Sequence, residues 1–535
     1  MKAVKRSATL LLMLVLVFSL SLTGCSKKED SSSPSPSDKA TTAPTEASKA
    51  PAETASADPA KDLKPYTVKL VYIGAAQKDE QKVEDAINKI LEQKINAKLD
   101  IAPIDWGPWD NSTNLMIASR EKFDIMFTAQ WRYYATNVAK GAFLPLNDDS
   151  LKDVGNLIEK YGQGIKENLN PAFLSGSQIN GKNYGIPTNK ELAAQGGILY
   201  REDIAKELGI DMTAVKSVKD LDAVLKVVKE KRPDITPLYL KDGETLNSHY
   251  MAGFDTMGDD GTPGIIFKNG TETKVVSKLD TDVYKENVKL ARDWMKKGYI
   301  NKDAAVATPS TQDAMKAGNV FMTFQSLKPG KDIEMANSIS TPENSFVGKL
   351  KQIALTDATI STGDTAGAML AISSTSEDPA RAMMVINLLH TDKDINNLLN
   401  FGIEGEHYTK VADNVIKAGP QAANYSPGAA WMLGNQFLNY IWETEAPTKW
   451  DDFKAFNSQA KASPALGFTF DTSKVKTEIA TCKDIMKEYD ATLDTGSVDP
   501  DTVLAKYVDK LKKAGMEKVI AEKQTQLDAF LASKK

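Results

Sequence analysis

Residues 66–105, YTVKLVYIGAAQKDEQKVEDAINKILEQKINAKLDIAPID, contain the pattern that decides the fold. The opening YTVKLVYIG is rich in Val, Ile and Tyr, which is typical of a β-strand. We predict a helix after it, capped by Asp79, because apolar residues recur at the spacing of one helical face. These apolar residues are Val83, Ile87, Ile90 and Leu91. The segment 96–105, NAKLDIAPID, predicts a second strand.

The same alternation continues along the chain. A helix is predicted through NLMIASR, and FDIMFTA, residues 123–129, predicts a third strand. The order β-α-β-α-β favours a parallel sheet with right-handed crossovers, and therefore an α/β fold. Ligands of such sheets lie beyond the carboxyl ends of the strands. Those ends are residues 74–77, 105–109 and 128–133.

The first residues have the pattern of a secretory signal. Three basic residues stand within the first six positions, and an apolar run of 14 residues, 9–22, follows. This run is too short for a bilayer, which requires about 20 residues. A charged start, a short apolar run and small residues at its end predict a signal peptide over residues 1–24.

The end of this segment predicts a lipid anchor. Leu22-Thr23-Gly24-Cys25 resembles the bacterial lipobox, in which the cysteine sulfur receives a diacylglyceryl group and becomes the first residue of the mature chain. Two acyl chains hold a protein at a membrane, whereas one holds it only marginally. Residues 26–62 are mostly Ser, Thr, Ala, Pro and charged residues, which predicts a disordered tether over 25–64. We expect a lipid-anchored protein at the extracellular face of the cell membrane.

Composition limits the remaining classes. At 535 residues the chain is long enough for two or three domains. Removing the three basic residues of the signal from the formal charge of −5 leaves −8, and no basic block is present. This balance argues against a nucleic-acid partner. Only Cys482 remains besides Cys25, so we expect no intramolecular disulfide and a small buried thiol in a helix.

Further along the chain, turn and helix signals alternate. Residues 179–191 predict a hairpin with Asn180-Gly181 at its turn. A strand and a helix that ends at Gly209 are predicted over 198–211. Trp294 lies on an amphipathic helix and is expected in the core. From about residue 475 to the end, the pattern is almost entirely helical.

The order of these segments resembles the family 1 extracellular solute-binding proteins of bacterial ABC importers, in particular a long lipoprotein branch that ends in a small helical domain. The matching segments occur in the family's order and are FDIMFTAQW, KGAFLPL, NGKNYGIP, LYREDIAKELGID, KAGNVFMTFQ, EDPARAMMVINLLHTDKDINNLL and FGIEGEHY. The resemblance implies a two-lobe, type II periplasmic-binding-protein-like fold, with a hinge, that closes on a ligand. It also implies delivery of that ligand to the membrane subunits of an ABC permease, by a protein expected to be a monomer.

The same resemblance implies where the lobes begin and end. We expect crossings between the lobes near residues 188–195, 360–366 and 400–405. The expected domains are 65–190 with 366–402 for the N-terminal lobe, 191–365 with 403–474 for the C-terminal lobe, and 475–535 for the helical C-terminal domain. The fold alone does not choose the ligand.

The residue types at the predicted cleft favour a carbohydrate. Sugar rings have apolar C–H faces and polar edges, so their sites pair aromatic side chains with amides and carboxylates. The aromatic residues that we expect to contribute are Trp106, Trp109, Trp131, Tyr133, Tyr134, Trp431 and Trp442. The polar residues are Gln77, Asp105, Glu191, Gln325 and Glu404. Trp106 and Trp131 are the strongest of these because both follow predicted strand ends.

No motif predicts catalysis, a metal site or a cofactor. The three histidines, His249, His390 and His407, are widely separated, and no HExxH, CxxC, GxSxG or phosphate-loop pattern occurs. Asp259-Asp260-Gly261 resembles a calcium loop only loosely, and a polar turn is favoured. We therefore predict a binding protein without a catalytic site. Two alternatives stay open: a secreted hydrolase or lyase that uses two carboxylates, and an accessory sensor that binds a solute.

Overall fold

The structure is a computed structural model and describes residues 63–534, except 153, 259, 260 and 342. The predicted signal peptide, Cys25 and all but the last two residues of the predicted tether lie outside the described residues, as does the pair Asp259-Asp260. Among the helices of the described part, none combines the length and apolar character that crossing a membrane requires.

The strands are numbered in chain order. They are β1 (Tyr66–Ile73), β2 (Ala97–Ile104), β3 (Ile125–Thr128), β4 (Gln178–Ile179), β5 (Lys182–Asn183), β6 (Ile186–Pro187), β7 (Gln195–Arg201), β8 (Thr236–Tyr239), β9 (Phe254–Asp255), β10 (Ile266–Phe267), β11 (Val320–Leu327), β12 (Leu350–Ala354), β13 (Thr359–Ile360), β14 (Met369–Ile372), β15 (Tyr408–Ala412), β16 (Val415–Ala418), β17 (Ile441–Trp442) and β18 (Lys461–Ala462).

The α-helices are numbered in the same way. They are α1 (Glu80–Ile95), α2 (Trp109–Ser119), α3 (Tyr134–Ala139), α4 (Leu157–Tyr161), α5 (Gln163–Asn168), α6 (Pro171–Gly176), α7 (Glu202–Leu208), α8 (Leu221–Lys231), α9 (His249–Ala252), α10 (Asp282–Lys296), α11 (Thr311–Lys316), α12 (Lys331–Ile339), α13 (Thr362–Thr365), α14 (Pro379–Thr391), α15 (Lys393–Phe401), α16 (Lys449–Gln459), α17 (Lys476–Asp494), α18 (Pro500–Lys513) and α19 (Met516–Ser533).

The first sheet has the strand order β2-β1-β3-β14-β6. β1 runs parallel to β2 and β3, with Tyr66 opposite Ala97 and Leu70 opposite Ile125, which confirms the predicted β-α-β-α-β unit. Residues Leu70 to Ile73 are all buried, so both faces of this sheet are covered. Asp79 precedes α1 as predicted, but its carboxylate makes no capping hydrogen bond to the helix.

The second sheet has the order β12-β7-β11-β8 and forms the second core with α7, α8 and α10. One of its two inner strands, β7, contains Gly197, where a Cβ atom would lie 2.1 Å from the carbonyl oxygen of Ile353. Only glycine allows the neighbouring backbone to approach so closely. Trp294 is fully buried in this core, as predicted, and its Nε1 donates to Asp222 at 3.0 Å.

Two predicted crossings join the two sheets. β6 belongs to the first sheet and β7 to the second, while β12 belongs to the second and β14 to the first. Between them, Ala194 and Thr359 exchange backbone hydrogen bonds of 2.8 and 3.0 Å. The two connections therefore run side by side, as expected for a hinge.

The chain after α15 differs from the predicted crossing near 400–405. Gly402 closes α15 with a φ of +78°, and the following segment returns to the first core through Tyr425 and Met432. The chain joins the second crossing only where β18 pairs with β13. The glycine at this position thus ends a helix. The segment 403–474, which was predicted to belong to the C-terminal lobe, instead begins in the first core.

The C-terminal helices α17, α18 and α19 pack against residues 252–288 in two further cores. Cys482 is fully buried there, as predicted. Tyr507 and Leu527 are also fully buried. The predicted helical region therefore packs its apolar face against residues 252–288.

Candidate functional site

Three tryptophans lie together where β2 and β3 end. The ring centroids of Trp106, Trp131 and Trp431 are 6.2 to 6.4 Å apart, and the ring planes differ by 12° to 31°. Trp106 is 48% exposed and Trp131 is 37% exposed. We call these three residues the tryptophan surface, and it exposes aromatic side chains to solvent.

A second layer of aromatic rings supports this surface. The ring of Phe127, at the end of β3, lies 5.5 Å from that of Trp431 and 6.2 Å from that of Trp131. Trp109 packs edge-on against Phe127 at 5.9 Å and is only 3% exposed. The predicted ligand contact of Trp109 is thus not available, because this first residue of α2 faces the core. Phe127 was missed, since nothing distinguishes it from other core residues in sequence.

Arg132 completes the surface and was also missed. Its guanidinium carbon lies 5.1 Å from the ring centroid of Trp131 and 5.8 Å from that of Trp106. Its Nη1 donates to the Asp110 carboxylate at 2.8 Å. Its position directly after Trp131, in the loop at the end of a predicted strand, could have identified Arg132 from the sequence. A planar cation that stacks on aromatic rings can also donate hydrogen bonds at their edges.

Buried polar atoms without a protein hydrogen-bond partner gather around the same loop. They are Asp110 Oδ1, Thr128 Oγ1, Gln130 Oε1 and Arg132 Nε. Native interiors leave few such atoms, and a group of them requires an explanation. Donors and acceptors beside exposed aromatic faces match the needs of a hydroxyl-rich ligand.

Two predicted residues hold this loop in place. Trp131 Nε1 donates to the carbonyl oxygen of Gly367 at 2.7 Å, which ties the loop to the second crossing. Tyr133 adopts a left-handed φ of +58°, which is uncommon for a residue with a side chain. The Nζ of Lys483, on α17, lies 4.9 Å from the Tyr133 ring centroid. Tyr134 is buried in the first core and offers no face to a ligand.

Gln77 and Asp105 act on the backbone around the tryptophan surface. Gln77 Nε2 donates to the carbonyl oxygen of Ala75, and its Oε1 accepts from the backbone N–H of Ser426, both at 2.8 Å. It therefore joins the loop after β1 to the segment before Trp431. Asp105 is exposed, and its Oδ1 accepts from the backbone N–H of Trp106 at 2.7 Å.

Glu191 lies at the first crossing in a buried ion network. Its Oε1 is 3.0 Å from Lys190 Nζ and 3.3 Å from Lys328 Nζ. Burial acts to raise the pKa of Glu191, but the two ammonium groups hold that pKa below its ordinary value. Lys328 also pairs with Glu334 at 2.8 Å. Glu191 Oε1 is thus paired with two lysines at the first crossing, whereas its buried Oε2 has no hydrogen-bond partner among the described residues.

The remaining predicted residues lie elsewhere. Gln325, in β11, is half-buried, and its Nε2 donates to Thr311 Oγ1 at 3.2 Å. Glu404 forms an exposed ion pair with Lys410 at 2.8 Å beside β15. Trp442 packs edge-on against Phe401 near the same small sheet. The structure therefore brings together Trp106, Trp131 and Trp431, with Asp105 and Tyr133 beside them.

One cluster of the described residues has ligand atoms close enough for a metal ion: Asp79, Glu406 and His407. His407 Nδ1 accepts from the backbone N–H of Ile403 at 2.9 Å. Its proton is therefore on Nε2, which lies 3.1 Å from Asp79 Oδ2 and donates to it. Glu406 pairs with Lys82. This donor set fits a structural hydrogen-bond network that joins α1 to the loop after α15, and it leaves His407 no lone pair for a metal.

Comparison with known proteins identifies the family of this chain. The family described as bacterial extracellular solute-binding protein matches residues 75–394, more than half of the chain. The chain belongs to this family. A domain of unknown function, DUF3502, matches residues 464–532 and covers the C-terminal helices. The predicted two-lobe α/β fold with a helical extension is confirmed.

Two relatives have names that refer to carbohydrates. A carbohydrate ABC transporter substrate-binding protein of Streptococcus pneumoniae is 31% identical over 471 residues, which is 88% of this chain and 91% of that one. A polygalacturonan/rhamnogalacturonan-binding protein of Bacillus subtilis, YtcQ, is 22% identical over 63% of this chain and 66% of that one.

A solved relative has the same fold over most of the chain. The crystal structure of the N-glycan transport solute-binding protein NgtS from Streptococcus pneumoniae has a TM-score of 0.77 and 30% identity. It covers 88% of this chain and 100% of NgtS. Two NgtS structures contain Man5GlcNAc and Man1GlcNAc, with TM-scores of 0.73 and 0.75. Membership in this family confirms a solute-binding protein of an ABC transporter rather than an enzyme.

Proposed function

We propose that this chain captures an oligosaccharide on the tryptophan surface, encloses it as the two lobes close, and delivers it to an ABC permease. The observation that carries this proposal is the exposure of nearly parallel tryptophan rings beside Arg132 and Asp110. Two of the three rings keep more than a third of their surface exposed. Soluble proteins rarely expose such large apolar groups together without a binding partner.

The chemistry of the surface favours sugars among small solutes. A pyranose ring has an apolar face of C–H groups that packs on an aromatic ring and a rim of hydroxyls that need donors and acceptors. Arg132 provides donors at the rim, and Asp110 and Gln130 provide buried acceptor atoms that are not otherwise used. The names of the relatives from Streptococcus pneumoniae and Bacillus subtilis support the same ligand class.

Closure of the lobes would complete the site. The two connections that pair at Ala194 and Thr359 form a narrow link between the lobes. A ligand that contacts both lobes only in the closed state shifts the population toward that state. Gln325 lies on the second lobe, and we propose that it contributes to the site from there, with Thr311 beside it.

We further propose that Cys25 carries a diacylglyceryl group and holds a monomeric receptor at the extracellular face of the membrane. The sequence Leu22-Thr23-Gly24-Cys25 after a short apolar run supports this anchor. Replacing Cys25 by Ala should move the protein from the membrane fraction to the medium. Retention of the Cys25→Ala protein in the membrane fraction would contradict the lipid anchor.

The test of the ligand is a titration of the full-length chain in detergent with Man5GlcNAc, after a thermal-shift screen of saccharides with peptides as contrast. Trp106→Ala and Trp131→Ala should each weaken binding about 10- to 100-fold, because burying an aromatic side chain contributes roughly 1.5–3 kcal/mol. Trp442→Ala is the matched control and should bind as the wild type does. Binding of peptides but not sugars, or equal effects at all three positions, would refute the proposal.

A further inference from the structure

A cavity lies outside the tryptophan surface, between the C-terminal helices and residues 242–279 of the second lobe. Its volume is about 200 Å³. α17 contributes Met486, Asp490 and Asp494 to its wall, and α18 contributes Tyr507 and Leu511. The domain of unknown function thus forms one side of this space.

The cavity is not a packing defect. Protein interiors are close-packed and contain few voids larger than a water molecule. This space opens to solvent at Asp242, which is exposed, and at His249, whose side chain is 42% exposed. Its wall also contains the hydroxyls of Thr245, Ser248 and Ser277. An open space with this many polar groups is suited to a polar ligand.

The polar groups of the wall are held in place by their neighbours. Asp490 accepts from the hydroxyl of Tyr507 at 2.7 Å and pairs with Lys278 at 2.9 Å. Asp494 accepts from Asn247 Nδ2 at 2.9 Å. Fixed carboxylates, an amide and hydroxyls on one wall bind a ligand with less ordering cost than mobile ones. These groups are of the types that bind sugar hydroxyls.

The position of the cavity connects it to the tryptophan surface. Lys483 of α17 lies over the ring of Tyr133, two residues after Trp131. Met486 follows Lys483 by three residues, a rise of about 4.5 Å along the helix. Gln130, in the same loop as Trp131, donates to Thr469 at 3.1 Å at the start of the C-terminal segment. One helix, α17, therefore contacts the loop that carries the tryptophan surface through Lys483 and lines the cavity through Met486.

We infer that the cavity is a second saccharide subsite, in which the C-terminal helical segment binds the far end of a solute whose near end lies on the tryptophan surface. This inference rests on the proposed function. It assigns the domain of unknown function a part in choosing ligands by length. A short saccharide would occupy the tryptophan surface alone, whereas a longer one would also reach the wall of α17 and α18.

The experiment measures the affinity of the full-length chain, in detergent, for Man5GlcNAc and Man1GlcNAc by calorimetric titration. Asp242→Trp places a bulky ring at the mouth, where the exposed position should allow normal folding. We expect about tenfold weaker binding of Man5GlcNAc and a change within about twofold for Man1GlcNAc. Asp280→Trp is the matched control, because Asp280 is exposed beside the cavity residue Leu279 without lining the cavity. It should leave both affinities unchanged.

A second variant tests the wall itself. Asp494→Asn keeps the shape of the side chain and should weaken only Man5GlcNAc, about threefold to tenfold. The inference is overturned if Asp242→Trp and Asp494→Asn bind Man5GlcNAc as the wild type does, or if they weaken both glycans equally. A wrong proposed function would give a different result, because the wild-type chain would then bind neither glycan. That result would also exclude the second subsite.

Discussion

The tryptophan surface and the cavity beside the C-terminal helices are built in different ways. Trp106 and Trp131 are 25 positions apart and follow the parallel strands β2 and β3, which lie on either side of β1. The walls of the cavity come from residues 242–279 and 486–516, which are more than 200 positions apart. The first region depends on local order in one sheet, and the second depends on the docking of three helices.

This difference determines which contacts each region needs in order to form. The carboxyl ends of neighbouring parallel strands meet at one edge of a sheet, so the side chains that follow them are brought together by the fold itself. A cavity between a helical segment and a distant lobe exists only while those elements stay packed. We therefore expect stability changes to affect the cavity first and the tryptophan surface last.

Deletion of residues 475–535 should have the largest effect. It removes Cys482, Tyr507, Val519 and Leu527, which are fully buried against residues 252–288. At roughly 1.5–3 kcal/mol for each large apolar side chain, the loss is comparable to the stability of a domain, about 5–15 kcal/mol. Hydrogen exchange should show that residues 242–279 lose protection while β1, β2 and β3 keep it.

The matched control is a deletion of residues 533–535 only, which should leave the exchange pattern unchanged. A melting temperature that is unaffected by the longer deletion would show that the C-terminal helices do not brace the second lobe. Loss of protection in the first sheet as well would remove the distinction between the two regions.

Lys268→Met should have the next largest effect, and again on the second region. Lys268, directly after β10, is 2% exposed, and its Nζ lies 2.9 and 3.1 Å from the two carboxylate oxygens of Asp364. Removing one partner of a buried ion pair costs about 3–5 kcal/mol, because the other charge stays buried. The free energy of unfolding in urea checks this value.

Lys274→Met is the control, because Lys274 is exposed on the same segment and should change the unfolding free energy little. The double variant Lys268→Met with Asp364→Asn should recover part of the loss. A single variant as stable as the wild type would show that this pair does not hold the second lobe to α13.

The difference between local order and contacts of distant segments also explains which features could be predicted from the sequence. The parallel unit, the hairpin at Asn180-Gly181 and the grouping of Trp106 with Trp131 follow from local patterns and strand ends. The prediction that Trp109 contacts the ligand was wrong, because the sequence of the turn does not show which of Trp106 and Trp109 faces the core. The return of Tyr425 to the first core, and the cavity, depend on contacts between distant segments that no local pattern encodes.

Arg132→Ala changes the tryptophan surface. In contrast to Lys268→Met, it should weaken binding and change stability little. The pair of Arg132 with Asp110 is partly exposed, and such pairs contribute about 0–1 kcal/mol to folding. Its stacking on two rings should matter more when a ligand excludes water, so we expect about 5- to 30-fold weaker binding of Man5GlcNAc. Calorimetric titration and urea unfolding together check both values.

Arg232→Ala is the matched control for Arg132→Ala. Arg232 also pairs with carboxylates, those of Asp234 and Glu207, but it lies at the end of α8. It should leave binding unchanged. If Arg132→Ala lowered stability as much as Lys268→Met, the tryptophan surface would depend on ion pairing as the second region does.

The smallest effect should be a pH dependence contributed by one carboxylate of the cavity. Burial, with the neighbouring carboxylate of Asp490, raises the pKa of Asp494 to about 7, although Lys278, Asn247 and Tyr284 favour its charged form. An unfolded aspartate has a pKa of about 3.9. Between these values the folded chain keeps a proton on Asp494 that the unfolded chain has released, so the contribution of Asp494 to stability falls as pH rises from about 4 to 7. His390, buried on α14, contributes in the opposite direction over a similar range, because burial lowers its pKa to about 3.

Asp494→Asn removes this titration, so the melting temperature of the variant relative to that of the wild type should rise as pH increases from 5 to 7. The effect should be modest, because Asp494 is only partly buried and faces Lys278. Asp501→Asn, at an exposed position in the first turn of α18, is the control and should keep the slope of the wild type. If Asp494→Asn kept that slope too, the pH dependence would come from other groups, and the wall of the cavity would be no more sensitive to proton binding than the tryptophan surface.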